Sequence, residues 1–408
     1  MITRRNLIGA GSLLGGVLAL TRGRRAQAAP PATAASRNYV PVVVPDGATL
    51  PFTMKDGVKE FHLVAERISH EVAPGMTINA WGYNGRTPGP VIEAVEGDRV
   101  RFFVKNALPE RTSVHWHGLF LPNGMDGVAG LNQPHIEPGE TYVYEFTLRQ
   151  HGVFMYHPHS DEMVQMAMGM MGFFVIHPKN PEVRVDRHFM IMLHEWFVAP
   201  GTATPNPNIM LDFNLFTFNS RAWPGTSSLV AKTGDRVRIS LGNLSMDSHP
   251  IHLHGYAFEE VGTEGGPTPK SARRPITTTD VPPGTTRTVE LVADAPGDWA
   301  FHCHKSHHTM NAMSHDVPNM MGVKQGRLED KVKKVLPGYM AMGENGMGNM
   351  MDMGRPKNTL PMMTGQGPFG PVEMGGMFTV VKVRDGLTSY ADPGWYVHPP
   401  GTVARKLT

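Results

Sequence analysis

One pattern of histidines occurs twice along the chain, in the same order. The first copy reads His115-Trp116-His117-Gly118, then a turn at Pro138-Gly139, then His157-Pro158-His159. The second reads His252-Leu253-His254-Gly255, a turn at Pro283-Gly284, then His302-Cys303-His304. Recurrence of a whole ordered set marks a repeated structural unit. With 408 residues, there is room for two such units at ~100–200 residues each.

Short runs such as Val91–Val95, Arg99–Val104 and Thr141–Phe146 alternate with Gly, Pro, Asn and Asp. Period-2 runs bounded by turn residues predict an antiparallel β-sandwich. The 45 glycines and 35 prolines, with only 18% charged residues, suit a turn-rich all-β chain. The first sandwich is expected over 40–180. The second is expected over 184–326, with a closing strand from about 368–392 around Met377–Arg384. Between these lies an expected Met-rich insertion, 327–367, holding Met340, Met342, Met347, Met350, Met351, Met353, Met362 and Met363. Thioethers suit soft cuprous ions, and methionine also fills irregular gaps; both readings stay open for this segment. Met163, Met166, Met168, Met170 and Met171 are expected to be packing residues.

The first 28 residues carry Arg4-Arg5, an apolar run to Leu20, then Arg22, Arg24, Arg25 and Ala26-Gln27-Ala28. They read as a twin-arginine export signal cleaved after Ala28, and so predict a periplasmic or secreted protein. The run is shorter than the ~20 residues of a spanning helix. Past the signal, 29–40 reads as an Ala/Pro-rich arm. The net charge of +2 owes five arginines to this signal, and no basic stripe suggests a nucleic-acid partner.

In a strand, residues i and i+2 share a face, so each His-x-His pair can aim two imidazoles at one place. Four pairs supply eight imidazoles, too many for one metal, and imply a cluster. The second copy adds His249, Cys303, His308 and Met313. Cys303 is the only cysteine, so it forms no intrachain disulfide. Two histidines, a thiolate and a distant methionine make a blue-copper electron-transfer site. The first copy has Thr112, Pro158 and Met163 where the strong ligands stand in the second; only Met168 matches.

With these stretches the chain resembles the multicopper oxidases, and within them the two-domain, laccase-like type. The resemblance implies two cupredoxin-like Greek-key sandwiches and about four coppers per subunit. It implies that His249, Cys303, His308 and Met313 hold a type 1 copper, with Met310 an alternative axial ligand. It implies that His115 and His252 hold a type 2 copper. His117, His157 and His304 would then hold one type 3 copper, and His159, His254 and His302 the other. Asp126 matches an acid that guides protons, although Asn123-Gly124-Met125-Asp126-Gly127 also reads as a turn. Thr309 stands where three-domain members often carry a further acid, leaving the second proton donor open. His307 and His315 are expected to be surface residues.

The activity implied is one-electron oxidation of phenolic or aromatic donors, or of cuprous ion, coupled to reduction of dioxygen to water. Two-domain relatives build the cluster between subunits, which implies a closed homotrimer. Two other readings are a copper-sequestering copper-tolerance protein with oxidation secondary, and a copper nitrite reductase. The latter carries its blue copper in the first domain and a single catalytic copper.

Overall fold

In each half of the chain an early strand pairs in parallel with a later one. Val58–Ala73 runs parallel to Arg99–Asn106, and Arg187–Trp196 runs parallel to Arg236–Asn243. A second parallel pair completes each half: Ile92–Val95 with Gly172–His177, and Leu229–Lys232 with Phe378–Arg384. The antiparallel sandwich expected from the sequence thus includes parallel pairs as well. Alternation of apolar and polar residues reports which face is buried; it does not report strand direction. The computed structural model describes residues 39–311 and 357–407, with 319–320, 331, 334–335 and 340–341 between them. The expected export signal, Met313, His315 and most of the Met-rich segment lie outside these residues.

Two sandwiches result, all-β and cupredoxin-like. In the first, a five-stranded sheet packs on a four-stranded one around Phe61, Phe102, Trp116, Tyr144, Phe146 and Phe174. In the second, a seven-stranded sheet packs on a five-stranded one around Phe189, Phe216, Leu241, Phe258 and Phe301. Each such side chain, fully buried, stabilises its sandwich by ~1.5–3 kcal/mol. A third apolar cluster, with Met155, Phe173, Met190, Met192 and Leu244, joins the two. Gly242 is required there, because a Cβ at that position would stand 2.5 Å from the Phe173 ring.

The repeat extends to devices with no histidine in them. Gly97-Asp98-Arg99-Val100 and Gly234-Asp235-Arg236-Val237 make the same turn, with the glycine at φ 92° in both. The Asp98 carboxylate accepts from the Val95 amide at 2.7 Å, and Asp235 accepts from Lys232 at 2.8 Å. The following strands end at Asn106 and Asn243, both fully buried. Each asparagine donates to the backbone carbonyl four residues on and to that of a distant residue, Ile136 or Val281. Each accepts from the amide two residues on. These buried amides satisfy the loop backbone that leads to the first His-x-His strand of each half.

The expected closing strand is present as Phe378–Arg384. It lies inside its sheet between Gly297–Cys303 and Leu229–Lys232. Of the segment before it, Met362 and Met363 are buried, and the Met362 carbonyl accepts from the Asn311 amide at 2.7 Å. Among the described residues, no helix is long and apolar enough to cross a membrane.

Candidate metal centre

Strand pairing sets the histidines. His115–His117 lies antiparallel to Gly152–His157, with His115 opposite His157. His249–Leu253 lies antiparallel to Gly297–Cys303, with His252 opposite His302. The four rings of the first set have centroids 5.3–6.4 Å apart where they touch. In the second set, those separations are 4.8–5.7 Å.

Backbone carbonyls fix several tautomers. His115 donates its Nδ1–H to the Asp126 carbonyl at 2.8 Å, and His252 donates to Thr277 at 2.7 Å. His157 and His302 each donate Nδ1–H to the carbonyl of the next residue, at 2.9 and 2.8 Å. A carbonyl can only accept, so Nε2 of each ring keeps a free lone pair. Those lone pairs face other imidazoles: His157 Nε2 is 3.3 Å from His117 Nδ1, and His302 Nε2 is 3.1 Å from His254 Nε2. Burial, together with neighbouring imidazoles, lowers the pKa of His117, His254 and His302, and takes His157 down to about 3. These rings are therefore held neutral, the form a metal needs.

Among the described residues, no ring contact joins a histidine of one set to one of the other. His254 and His304 are exposed, and His159 is half-buried.

A third group lies inside the second sandwich. Alternation along Gly297–Cys303 turns Cys303 away from His302 and His304 and into the core, where it is fully buried. A 3-10 turn over Ser306–Thr309 brings His308 back to it. The Cys303 Sγ lies 3.5 Å from His308 Nδ1 and 3.9 Å from His249 Nδ1, with the two nitrogens 3.0 Å apart. The point equidistant from the three atoms is about 2 Å from each, matching a metal bond to nitrogen or sulfur at ~2.0–2.3 Å. Burial pushes the Cys303 thiol up to about 12, so without a cation the sulfur stays protonated. A bound metal reverses this and takes the thiolate. Burial and the neighbouring His249 hold the His308 imidazole far below its ordinary pKa. Phe216 stacks on that ring at 4.1 Å.

Two carboxylates lie beside these groups unseen in the sequence. Glu195 is fully buried and accepts from His249 Nε2 at 2.9 Å, Ser245 Oγ at 2.6 Å, and the Met246 and Asp247 amides at 2.6 and 2.7 Å. Burial alone would raise its pKa; the bonds from His249 and Ser245 outweigh that, and the net shift is downward. Glu162, first residue of the helix Glu162–Ala167, lies 3.7 Å from His157 and 3.4 Å from His159. The Asp126 carboxylate is 3.5 Å from His115 Nδ1. Thr309 is buried and donates to the Ser306 carbonyl, and His307 is exposed.

In the first sandwich, Thr112 replaces the counterpart of His249, and its hydroxyl donates to Gln165 Oε1 at 2.7 Å. Both are fully buried, so a hydrogen-bonded pair fills the space a metal would need.

Paired cupredoxin-like sandwiches with two histidine sets and a buried His-Cys-His triangle define a copper-dependent redox protein. Two sequence profiles, both described as multicopper oxidase, match residues 65–181 and 200–322. The chain belongs to the multicopper oxidase family. Copper resistance protein A of Escherichia coli is 46% identical over 114 residues, 28% of this chain and 18% of that one. A probable nitrite reductase-hydroxylamine oxidoreductase fusion protein of Kuenenia stuttgartiensis is 30% identical over 279 residues, 64% of this chain and 31% of that one. The matched stretches thus span a third or less of these curated relatives. The crystal structure of a blue copper oxidase from Nitrosomonas europaea superimposes with a TM-score of 0.59 at 26% identity, covering 79% of this chain and 85% of that one.

Proposed function

We propose that this protein oxidises phenolic or aromatic donors, or cuprous ion, one electron at a time, and reduces dioxygen to water with four such electrons. One observation carries the reading: Cys303 faces a buried pair of imidazoles, while His302 and His304 on either side of it face a separate histidine set. Copper supplies the one-electron chemistry at both places. The chain's part is ligation, tautomer control and exclusion of water.

In this reading His249, Cys303 and His308 would hold the type 1 copper, with Met313 as a further ligand. His115 and His252 hold the type 2 copper. His117, His157 and His304 hold one type 3 copper, and His159, His254 and His302 the other. Asp126 passes protons near His115. The domains are 40–180 and 184–326 plus about 368–392. Among the described residues of one chain, no ring contact joins the two histidine sets, and His254 and His304 are exposed, which favours a homotrimer that joins the first sandwich of one subunit to the second of the next. The twin-arginine pattern of the first 28 residues supports export to the periplasm or outside the cell.

Nitrite reduction is the second reading, favoured by the Kuenenia stuttgartiensis relative. Against it stand two four-histidine sets and a thiolate site in the second sandwich. Oxygen uptake with a phenol and with cuprous ion, beside nitrite consumption from the same donors, separates the two. Four electrons from donor per dioxygen is the expected result; nitrite consumption without oxygen uptake would reverse the assignment.

A further inference from the structure

A cleft of about 1070 Å³ opens between the two sandwiches, and none of the residues assigned to copper lines it. One wall belongs to the first sandwich, with Val153, Val175 and His177. The other is the outer face of the seven-stranded sheet of the second. Along Arg236–Asn243, Val237, Ile239 and Leu241 turn into the core, so Arg236, Arg238 and Ser240 face the other way. The Cys303 triangle belongs to the opposite sheet, beyond that core. Whatever enters the cleft is therefore a second molecule and not the electron donor.

The lining has the make-up of a small-molecule site: mostly apolar walls at a junction of domains, with a few polar groups and a volume near the ~300–1,000 Å³ usual for such sites. Val40, Val183, Val185 and Val261 extend the apolar surface, and Tyr39 stacks on His177 at 3.8 Å. The charge is lopsided. Past residue 28, acids outnumber lysines and arginines along the chain, yet five cationic residues line this cleft against three acids. Glu290 accepts from both Arg236 and Arg238, at 2.6 and 2.8 Å, and Glu182 pairs with Lys270 at 3.1 Å. Glu259, the third acid, is exposed. Among the described residues, no carboxylate pairs with Arg184, or with Arg273, whose Nε donates to the Thr268 carbonyl at 3.0 Å.

A buried donor completes the lining. His188 is 4% exposed and lies 2.8 Å through Nε2 from Ser240 Oγ, which is itself 2.8 Å from Thr288 Oγ1. Burial holds this imidazole neutral. With Thr288 donating to Ser240 and Ser240 donating to Nε2, the ring proton stands on Nδ1, which has no partner among the described residues. A buried N–H without an acceptor costs folding free energy, and an anion oxygen would satisfy it.

We propose that this cleft binds an organic anion, a carboxylate on an apolar body of two or more rings, whose charge answers Arg184 and Arg273 and whose oxygen can accept from His188. Guanidinium matches the carboxylate in shape as well as charge. A single ring is too small, since ~150 Å³ already holds benzene. An inorganic anion would leave the valine walls wet. Because both sandwiches contribute walls, the occupant ties one to the other. The site goes beyond the oxidase reading and is tested without turnover.

The test titrates 2-naphthoate into the copper-loaded, full-length protein by calorimetry. One equivalent per chain is expected, with 2-naphthamide, the same body without the charge, binding at least tenfold more weakly. Arg184→Glu and Arg273→Glu should each weaken 2-naphthoate at least tenfold, and His188→Leu should do likewise. Arg67→Glu, the same charge change at an exposed position outside the cleft, should leave the titration unaltered. Saturating 2-naphthoate should raise the thermal midpoint of the parent and not that of the Arg184→Glu/Arg273→Glu double variant. Equal binding of the amide, or parental binding in both arginine variants, overturns the site. Inorganic phosphate binding as tightly as 2-naphthoate overturns the organic ligand.

Discussion

Glu195→Gln replaces one oxygen of a buried carboxylate by an amide NH₂ and changes almost nothing else in shape. Four donors converge on that carboxylate, at 2.6, 2.6, 2.7 and 2.9 Å. Glutamine offers two lone pairs on one oxygen, so about two of the four donors lose their acceptor. At ~1–3 kcal/mol for each orphaned buried donor, the metal-free fold should lose ~2–6 kcal/mol. The more telling effect falls on His249. With the carboxylate present, His249 carries its proton on Nε2, which leaves Nδ1 as a lone pair facing Cys303 and His308. An amide NH₂ in its place draws the proton to Nδ1 and blocks the position a metal would take. Copper affinity of this site should fall ~10–100-fold, the usual cost of losing the partner that orients a ligating histidine. Copper titration against a competing chelator, followed by the blue absorption band, reads this directly. Parental affinity in the variant, with an unshifted thermal midpoint, would refute the role assigned to Glu195.

Further outcomes follow from the same geometry. Cys303→Ser should abolish both the blue colour and the oxidase activity; turnover at the parental rate would show that electrons do not pass through the thiolate. His157 and His194, both almost wholly buried, have pKa values lowered by burial to about 3 and about 4. As pH falls below ~6.5, the unfolded chain takes up protons that the folded chain refuses. The metal-free protein should lose ~1.4 kcal/mol per pH unit per group across that window, measurable as a fall in urea midpoint between pH 7 and pH 4.5. His115→Ala and His302→Ala variants, refolded together with copper, should regain part of the activity that each lacks alone; no recovery would argue against a cluster shared between subunits. Gly127→Ala should sharply reduce folded yield, since the added Cβ would stand 1.8 Å from the Val114 carbonyl at a φ of 90°.

What the sequence made legible was local. A His-x-His pair on a strand declares its direction by spacing alone, and Cys303 and His308 are joined by one short turn. The repeat announced two equivalent histidine sets; the pairing of His115 with His157 and of His252 with His302 came only from the structure. Glu195 was illegible because it lies 54 residues from His249, in a run that reads only as buried strand. Glu162 was hidden because a short helix turns it back on His157 and His159. Strand direction was hidden because parallel and antiparallel strands share one period. Met166 packs against the apolar cluster between the sandwiches, as expected, and with Met163 it also lines a small cavity.

The two sandwiches show how one scaffold came to hold unequal sites. Both halves keep the same turn at Asp98 and Asp235, the same asparagine anchor at Asn106 and Asn243, and the same pairing of opposed histidines. They differ where a metal would sit inside the sandwich. In the second, His249, Cys303 and His308 converge there; in the first, Thr112 and Gln165 close the space with a hydrogen bond. A hydrogen-bonded pair needs no cation to be satisfied, whereas a buried imidazole pair beside a thiol does. The first sandwich therefore does more than omit the ligands: it holds a polar pair able to satisfy itself in the dry interior. On that basis, Thr112→Val should destabilise the first sandwich by orphaning Gln165 Oε1, at a cost of ~1–3 kcal/mol in urea denaturation, and leave the copper content of the second sandwich intact. An equal loss of copper would mean that the two sandwiches do not hold their sites independently.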